Sequence, residues 1–251
     1  MTHESFLIDN GVLIEYIGKD NVVTIPDEVT VIGDEAFYGR DTITDLTISD
    51  NVTTIGNNAF AHCKNLTSLN IPNTVTSIGS GLFFYCESLT SVKLPDHITS
   101  INDNMFTACL NLANFKIPNR VTNIGYSAFE SCENLITITI PDSVTSIGYC
   151  AFDGCKNLSS ISISVNITSI SDSMFRACLN LTDFVIPSNI TSIGRIAFAE
   201  CKNLTNIVIP DSVTNIGDKI FYGCDSVTIH APAGSCAEQY AKENNIPFVA
   251  E

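Results

Sequence analysis

The chain has 251 residues, of which 45% are hydrophobic and 16% are charged, and its formal net charge is −15 at pH 7. This balance excludes a disordered chain, and no apolar run approaches the roughly 18 residues that a transmembrane span needs. The excess of acidic groups also argues against nucleic acid and anionic membranes as partners, because their phosphate groups would be repelled.

The amino terminus, MTHESFLIDNG, lacks both a basic region and a long apolar segment, so it is not predicted to be a signal peptide. Two explanations stay open: the protein is kept inside the cell, or a leader was removed from a longer chain. Residues 5–16, SFLIDNGVLIEY, predict a β-hairpin, because Asn10-Gly11 is a strong two-residue turn between apolar segments. We interpret residues 1–21 as a cap over the open edge of the first repeat.

Residues 22–228 repeat one unit about nine times at a spacing of 23 residues, and VTNIGYSAFESCENLITITIPDS at 121–143 is a typical copy. Each unit carries a Phe and, three residues later, a Cys, except that the first unit has Arg40 in place of the Cys. The Phe column is Phe37, Phe60, Phe83, Phe106, Phe129, Phe152, Phe175, Phe198 and Phe221. The Cys column is Cys63, Cys86, Cys109, Cys132, Cys155, Cys178, Cys201 and Cys224.

A fixed period of this length predicts a solenoid, in which each unit forms one coil and stacks on its neighbours. Residues 135–140 alternate with a period of two, so they predict a strand with Ile138 and Ile140 facing the core. We expect Gly148 to provide a turn with unusual backbone angles. The following Phe152 is expected to fill the space between the two sides of the coil.

The repeat ends near residue 228, and residues 229–251 predict a carboxy-terminal cap. Ser235 and Glu238 form a capping box ahead of a short helix whose inward face carries Tyr240. The helix is predicted to end at Asn244, and residues 246–250 are predicted to add a last strand.

A longer period is superimposed on the first. Residues 98–118 and 167–187 lie 69 residues apart, a distance of three coils, and are identical at 15 of 21 positions. Both segments replace the Gly of the unit, by Asn102 and by Ser171. Past duplication of a block explains this similarity. The alternative is a local shape that the two coils share, with bulk exchanged between neighbouring core positions.

The pattern AF-x-x-C-x-x-L-x-x-I-x-I-P-x-x-V-T-x-I-G, as in Ala128–Gly148, resembles the BspA-like leucine-rich repeat family. The resemblance covers residues 22–228 and implies a mainly β repeat solenoid, a right-handed horseshoe with a parallel sheet on its concave face. It also implies a cell-surface or secreted protein that acts in adhesion and protein binding, without catalytic residues. We therefore expect a single domain over residues 1–251, with a hairpin cap at 1–21, about nine repeats at 22–228 and a helical cap at 229–251.

The Cys column is expected to consist of buried thiols rather than disulfides or metal ligands. Parallel side chains on stacked coils have the wrong torsion for bridging, and the sequence has neither a CxxC pair nor paired His. No cofactor is expected.

A catalytic role is considered for the carboxylates that follow the Pro of each unit, because carbohydrate-active solenoid enzymes place such groups on adjacent coils. Asp27 and Asp50 are the adjacent pair, but Asn interrupts the column beyond them, which fits turn chemistry better. We therefore predict that the chain is not an enzyme.

The outward positions of the predicted strands vary from unit to unit, while the inward positions do not. Because solenoids usually bind their partners on the concave face, these positions are the candidate binding site. Lys93 and Lys116 form a small basic region there, and Val185 and Val208 form a small apolar one. The candidate residues are Asn70, Lys93, Lys116, Thr139, Asp183, Val185 and Val208.

These observations favour a non-enzymatic module for protein–protein interaction or adhesion. The partner is expected to be a protein, and the resemblance suggests a host or extracellular matrix protein. A structural spacer is the alternative, and a carbohydrate-active enzyme is a third possibility. We expect the chain to be a monomer.

Overall fold

The computed structural model describes residues 4–251, which form a mostly β solenoid of about ten stacked coils closed by one short helix. A hairpin, β1(Phe6–Asp9) and β2(Val12–Tyr16), begins the described chain. Each following coil contains a two-residue back strand, a turn that holds the column Phe, and a front strand. We number the coils 1 to 9 by their column Phe, from Phe37 to Phe221.

The strands lie in two rows of parallel neighbours. The front strands are β3(Val22–Thr24), β5(Asp45–Thr47), β7(Ser68–Asn70), β9(Ser91–Lys93), β12(Thr137–Thr139), β14(Ser160–Ser162), β16(Asp183–Val185), β18(Asn206–Val208), β20(Thr228–Ala231) and β21(Phe248–Ala250). The back strands are β4(Val31–Ile32), β6(Thr54–Ile55), β8(Ser77–Ile78), β10(Ser100–Ile101), β11(Asn123–Ile124), β13(Ser146–Ile147), β15(Ser169–Ile170), β17(Ser192–Ile193) and β19(Asn215–Ile216).

The alternation predicted for the front strands is confirmed. In β12, Ile138 is 3% exposed, whereas Thr137 and Thr139 are exposed. Parallel pairing places Thr137 beside Ser160 of the next coil, 23 residues along the chain. Each coil thus repeats the same inward and outward positions as its neighbour.

The column Phe residues form one continuous stack through the core. Their neighbouring ring centroids are 5.3 to 6.1 Å apart, and eight of the nine rings are fully buried. Tyr16 extends the stack at the amino-terminal end, 5.3 Å from the ring of Phe37. Tyr240 closes it at the other end, with its ring edge-on to Phe221 at 6.4 Å.

The turns around these Phe residues carry a second ladder of main-chain hydrogen bonds, which we call the turn ladder. In coil 5, the N–H groups of Ser127, Phe129 and Ser131 donate to carbonyls of coil 6 at 3.0, 2.9 and 2.7 Å. Ser127 and Ser131 have positive φ values of 49° and 56°, so the N–H groups of alternate residues point toward the same neighbour. The two positions that flank the Phe by two residues have positive φ in every coil from 1 to 9.

The expectation for Gly148 is wrong in its reason. Gly148 does not have a positive φ; that conformation belongs to the residues that flank the Phe. Gly is required because a Cβ at Gly148 would lie 2.5 Å from the main-chain N of Tyr126 in the preceding coil. This close approach lets the Gly148 N–H donate to the Ile124 carbonyl at 2.8 Å.

The front and back rows are interrupted at two coil interfaces, which we call the first and second seams. On the back, β8 does not pair with β10, and β13 does not pair with β15. On the front, the described chain shows no pairing of β9 with residues 114–116, or of β14 with β16. The seams lie between coils 3 and 4 and between coils 6 and 7, so the strands of coils 1 to 3, 4 to 6 and 7 to 9 form separate blocks, the first of which is extended by the hairpin strand β2 and by β3. The turn ladder and the ring stack cross both seams.

On the back, both seams coincide with the replacement of the Gly that the other coils have at this position, by Asn102 in coil 4 and by Ser171 in coil 7. Because a Cβ at this position meets the preceding coil, Asn102 and Ser171 require the back strands to separate. Their side chains then replace the lost main-chain donor: Asn102 Nδ2 donates to the Ile78 carbonyl and Ser171 Oγ donates to the Ile147 carbonyl, at 2.5 and 2.6 Å. The 69-residue period of the sequence therefore corresponds to a local structure that coils 4 and 7 share.

All ten cysteines are free thiols, and seven of the eight in the column are buried as expected. The expectation is wrong for Cys224, which lies in the last coil of the column and is half-buried. Each thiol of the column donates to a Phe carbonyl of the preceding coil; Cys132 Sγ, for example, lies 3.2 Å from the Phe106 oxygen. Burial raises the pKa of Cys63 to about 12 and that of Cys224, which is partly exposed, to about 11. The column therefore consists of protonated donors that connect successive coils.

The hairpin turn is confirmed, since Asn10 and Gly11 both have positive φ between antiparallel strands. The second strand of the hairpin, β2, also belongs to the back row of strands. Leu13 of β2 pairs with Ile32 of β4, so β2, the Tyr16 ring and β3 together form a coil ahead of coil 1. The first three residues of the predicted cap lie outside the described residues.

The carboxy-terminal cap is also confirmed. Helix α1(Cys236–Asn244) begins after Ser235, whose side chain accepts the Glu238 N–H, and ends at Asn245 in the left-handed conformation. The last strand, β21, pairs in parallel with β20. No helix within residues 4–251 has the length and apolar character to cross a membrane.

Replacing Phe129 by Ala should lower the free energy of unfolding by about 3–5 kcal/mol, because it opens a cavity in the continuous ring stack. Chemical denaturation measures this change. Ile136→Ala in the same coil is the control, since Ile136 is 49% exposed and its truncation should cost less than about 1 kcal/mol. An unchanged stability of the Phe129 variant would contradict a packed stack.

At the second seam, the Ser171 N–H should exchange with solvent faster than the Gly194 N–H one coil later. Gly194 donates to the Ile170 carbonyl at 2.7 Å, whereas at Ser171 the side chain has taken that role. Hydrogen exchange followed by NMR measures both amides. The variant Ser171→Gly should slow exchange at this position by permitting the main-chain bond; equal protection of the two wild-type amides would contradict the seam.

Thiol labelling of the native protein at pH 8 should modify Cys150 and Cys236 first and Cys224 more slowly. These three are partly exposed, and the raised pKa of Cys224 leaves little reactive thiolate. The seven buried cysteines should react only after unfolding, as mass spectrometry of timed samples would show. Rapid labelling of eight or more thiols would contradict the buried column.

Candidate partner-binding face

The front face consists of the outward side chains of the front strands. In β5, β7, β12 and β16 the middle residue is buried and the two on either side are exposed, whereas the middle residues of β9 and β14 are half-buried. Each of these strands presents two side chains to solvent. Because the middle residues hold the core, the outward pair can change without loss of the fold. The seven candidate residues all occupy outward positions, and all are exposed except Val208, which is half-buried.

The structure brings the candidates together in two groups. Asn70 and Lys93 are direct neighbours on β7 and β9, and Val185 and Val208 are direct neighbours on β16 and β18. Val185 is 68% exposed, so this pair forms an apolar spot. Asp183, on the same strand, accepts a hydrogen bond from Asn206 Nδ2 at 2.7 Å.

Lys93 and Lys116 are not paired in the strand ladder, because the first seam separates them. The front strand of coil 4 is reduced to a single bridge from Asn114 to Thr137. Thr139 continues this side of the seam on β12. The basic region of the front face therefore straddles an interruption of the sheet.

A cavity opens beside each of these lysines. Lys93 lines a cavity of about 440 Å³ together with Asp50 and Asn70. Lys116 lines another of about 510 Å³, whose wall includes Thr137 and Thr139. Neither ammonium group has an ion-pair partner among residues 4–251. Both are thus available to an external group.

Sequence reasoning missed one front-face residue, His230. It lies beside Val208 on β20, and its ring contacts Glu251 and Asn206 at 3.3 and 3.2 Å. The last coil is one residue shorter than the others, so His230 follows Val208 by 22 residues and not 23. Counting back from the predicted last strand would have placed His230 on the front face, whereas counting forward from the Phe column in steps of 23 residues would not.

Of the two carboxylates considered for catalysis, Asp27 has structural partners, whereas Asp50 lines the cavity beside Lys93. Asp27 accepts a hydrogen bond from Ser49 Oγ at 2.9 Å, and its main-chain carbonyl accepts one from Asn51. Burial raises the pKa of a different carboxyl, Asp153, which pairs with Arg176 at 2.9 Å on the turn side of the solenoid. Within residues 4–251, no group of three or more His, Cys, Asp or Glu is arranged to hold a metal ion.

Together, the parallel coils, the ring stack and the cysteine column define a leucine-rich repeat solenoid. The chain belongs to the BspA type of this class: the profile of the BspA type leucine rich repeat region matches residues 18–136 and 122–238, with six copies. Repeat solenoids of this kind are generally non-enzymatic structural or interaction modules.

Solved structures of bacterial proteins share the fold. A leucine rich cell surface protein from Faecalibacterium prausnitzii is 28% identical, with 96% of each chain covered and a TM-score of 0.50. The pneumococcal vaccine antigen PcpA is 18% identical over 92% of this chain and 68% of that one, with a TM-score of 0.66. The T. pallidum leucine rich repeat protein is 21% identical over 100% and 99%, with a TM-score of 0.53. No protein of curated function matches the chain.

Proposed function

We propose that the front face binds a protein partner and that the protein acts as a non-enzymatic adhesion or interaction module. The observation that carries this proposal is that Lys93 and Lys116 have no ion-pair partner in the described chain. They lie on opposite sides of the first seam, and each lines an open cavity. Asn70 and Thr139 line the same cavities and add hydrogen-bonding groups. An acidic or polar segment of a partner suits this arrangement, because two fixed ammonium groups attract carboxylates.

The apolar spot at Val185 and Val208 adds a second contact at the far end of the face. Protein interfaces combine an apolar centre with charged groups that orient the partner, and the front face offers both chemistries along one surface. Asp183 lies on the same strand as Val185, in the neighbouring outward column. The similarity to a leucine rich cell surface protein supports adhesion as the setting of this binding.

The double variant Lys93→Glu with Lys116→Glu should reduce recovery of the partner by about tenfold while leaving the melting temperature unchanged. Both side chains are exposed and lack ion pairs within the described chain, so their replacement does not disturb folding. Affinity capture from surface extracts of cells that share the protein's environment, followed by mass spectrometry, measures recovery.

The matched control is Lys202→Glu with Lys219→Glu, which makes the same change of charge away from the front strands. Proteins that both double variants lose are held by overall charge, whereas proteins lost by the front-face variant alone are specific partners. Binding that is unaltered by the front-face substitutions would place the site elsewhere.

A further inference from the structure

A second surface runs along the turns that hold the column Phe residues. We define the turn face as the positions three and two residues before, and one and two residues after, each column Phe. A cavity of about 420 Å³ is lined by both sets of positions, from Asn57 and Ser80 on one side to Phe84 on the other. The two sets therefore belong to one surface.

Four aromatic side chains cluster on the turn face of coils 1 to 3. The rings of Tyr38 and His62 are 5.0 Å apart, and His62 stacks on Tyr85 at 5.0 Å with an angle of 11° between the rings. Phe84 contacts both His62 and Tyr85. We call Tyr38, His62, Phe84 and Tyr85 the aromatic patch.

The core does not require these rings, because the column Phe of each coil already fills it. At the position of Tyr38, one residue after the column Phe, coils 2 and 8 have Ala. Tyr38 and Tyr85 remain 47% and 40% exposed. His62 and Tyr85 occupy the same position in coils 2 and 3, and coil 4 has the small residue Ala108 at that position. The far side of the Tyr85 ring thus has no aromatic neighbour among the described residues of coil 4. A contiguous group of rings, two of them exposed and two half-buried, marks an interaction site more than a packing need.

The charge around the patch has one sign. Over coils 1 to 5, the turn face carries four carboxylates, Asp34, Glu35, Asp103 and Glu130, and no Lys or Arg. None of the four has an ion pair within residues 4–251. In coils 7 to 9, by contrast, the same positions include Arg176, Arg195 and Lys219.

The nearest basic side chains in sequence are already engaged. Arg40 pairs with Glu15 at 2.6 Å, and Lys64 pairs with Glu87 at 3.2 Å. The patch therefore combines open ring surfaces with carboxylates that no cation of the described chain neutralises.

Asp34 and Asp103 each accept a main-chain N–H hydrogen bond, from Asn57 and Tyr126, but keep their charge without an ion-pair partner. Aromatic rings and carboxylates on one surface are suited to a guanidinium group. Its planar cation stacks on a ring face and donates two parallel hydrogen bonds to a carboxylate, whereas an ammonium group does neither in the same geometry. We propose that the aromatic patch and its surrounding carboxylates bind an arginine-bearing segment of a protein partner. This site is separate from the front face and has the opposite charge preference.

The patch spans three coils, or about 10 Å, which fits roughly three residues of an extended peptide. Beyond it, the cavity beside Phe84 leads to Tyr126, which stacks on Tyr149 at 5.1 Å. A longer segment would continue along these rings.

The test compares a hexa-arginine peptide with a hexa-lysine peptide, using calorimetric titration at physiological salt. The wild-type protein should bind hexa-arginine at least about fivefold more tightly, since the two peptides differ in stacking and not in charge. The double variant Tyr38→Ala with Tyr85→Ala should weaken hexa-arginine binding about tenfold and hexa-lysine binding less than about twofold. Both residues are exposed, and thermal melting verifies that the variant folds.

Tyr222→Ala is the matched control. Tyr222 occupies the same position in coil 9 as Tyr38 does in coil 1 and is 64% exposed, but it lies outside the patch. This variant, and Lys93→Glu with Lys116→Glu, should retain the preference for arginine, so failure of this site is distinguishable from failure of the front face.

Equal affinity for the two peptides would show that overall charge attracts them and would overturn the proposal. An equal loss in the Tyr222 variant would show that the effect does not belong to the aromatic patch and would also overturn it. Binding of a neutral oligosaccharide such as cellohexaose that is lost in the Tyr38 and Tyr85 variant, without an arginine preference, would assign the patch to glycans and overturn it as well.

Discussion

The turn ladder is the constraint on which the rest of the structure depends. Three N–H groups per coil donate to the next coil around each column Phe, and this pattern continues where both strand rows are interrupted. It requires a positive φ on each side of the Phe. Even Ile196, a β-branched residue that disfavours this conformation, adopts it at φ 47°. The hydrogen bonds of the turn ladder and the packing of the ring stack therefore offset the conformational strain of these positive φ values. Together they fix which positions face the core and which face solvent.

The strand rows are the adjustable part of the molecule. Where Gly occupies the close approach between back strands, the main chains pair; where Asn102 or Ser171 occupies it, the strands separate and a side chain replaces the donor. The resulting blocks of three coils share one ring stack but not one sheet. On the front, the first seam separates Lys93 from Lys116, and each lysine lines a cavity on its own side of the seam.

The two solvent-facing surfaces offer a partner opposite chemistry. The front face presents two free lysines and an apolar spot, whereas the turn face of coils 1 to 5 presents aromatic rings and four carboxylates. The exposed side chains of both surfaces lie outside the ring stack, because the column Phe residues and the middle residues of the front strands carry most of the packing. In a repeat of this kind, the side chains that hold the core and those that face solvent occupy different positions of each coil.

The sequence by itself determined the period, the inward strand positions, the hairpin turn and the capped helix. Each of these is set by local chemistry: Ile138 alternates with polar neighbours, Asn10-Gly11 favours positive φ, and Ser235 caps a helix start. Only the tertiary structure decided the role of Gly148, the seams and the aromatic patch. These depend on distances between residues 23 positions apart in neighbouring coils, and a single unit read alone does not contain them.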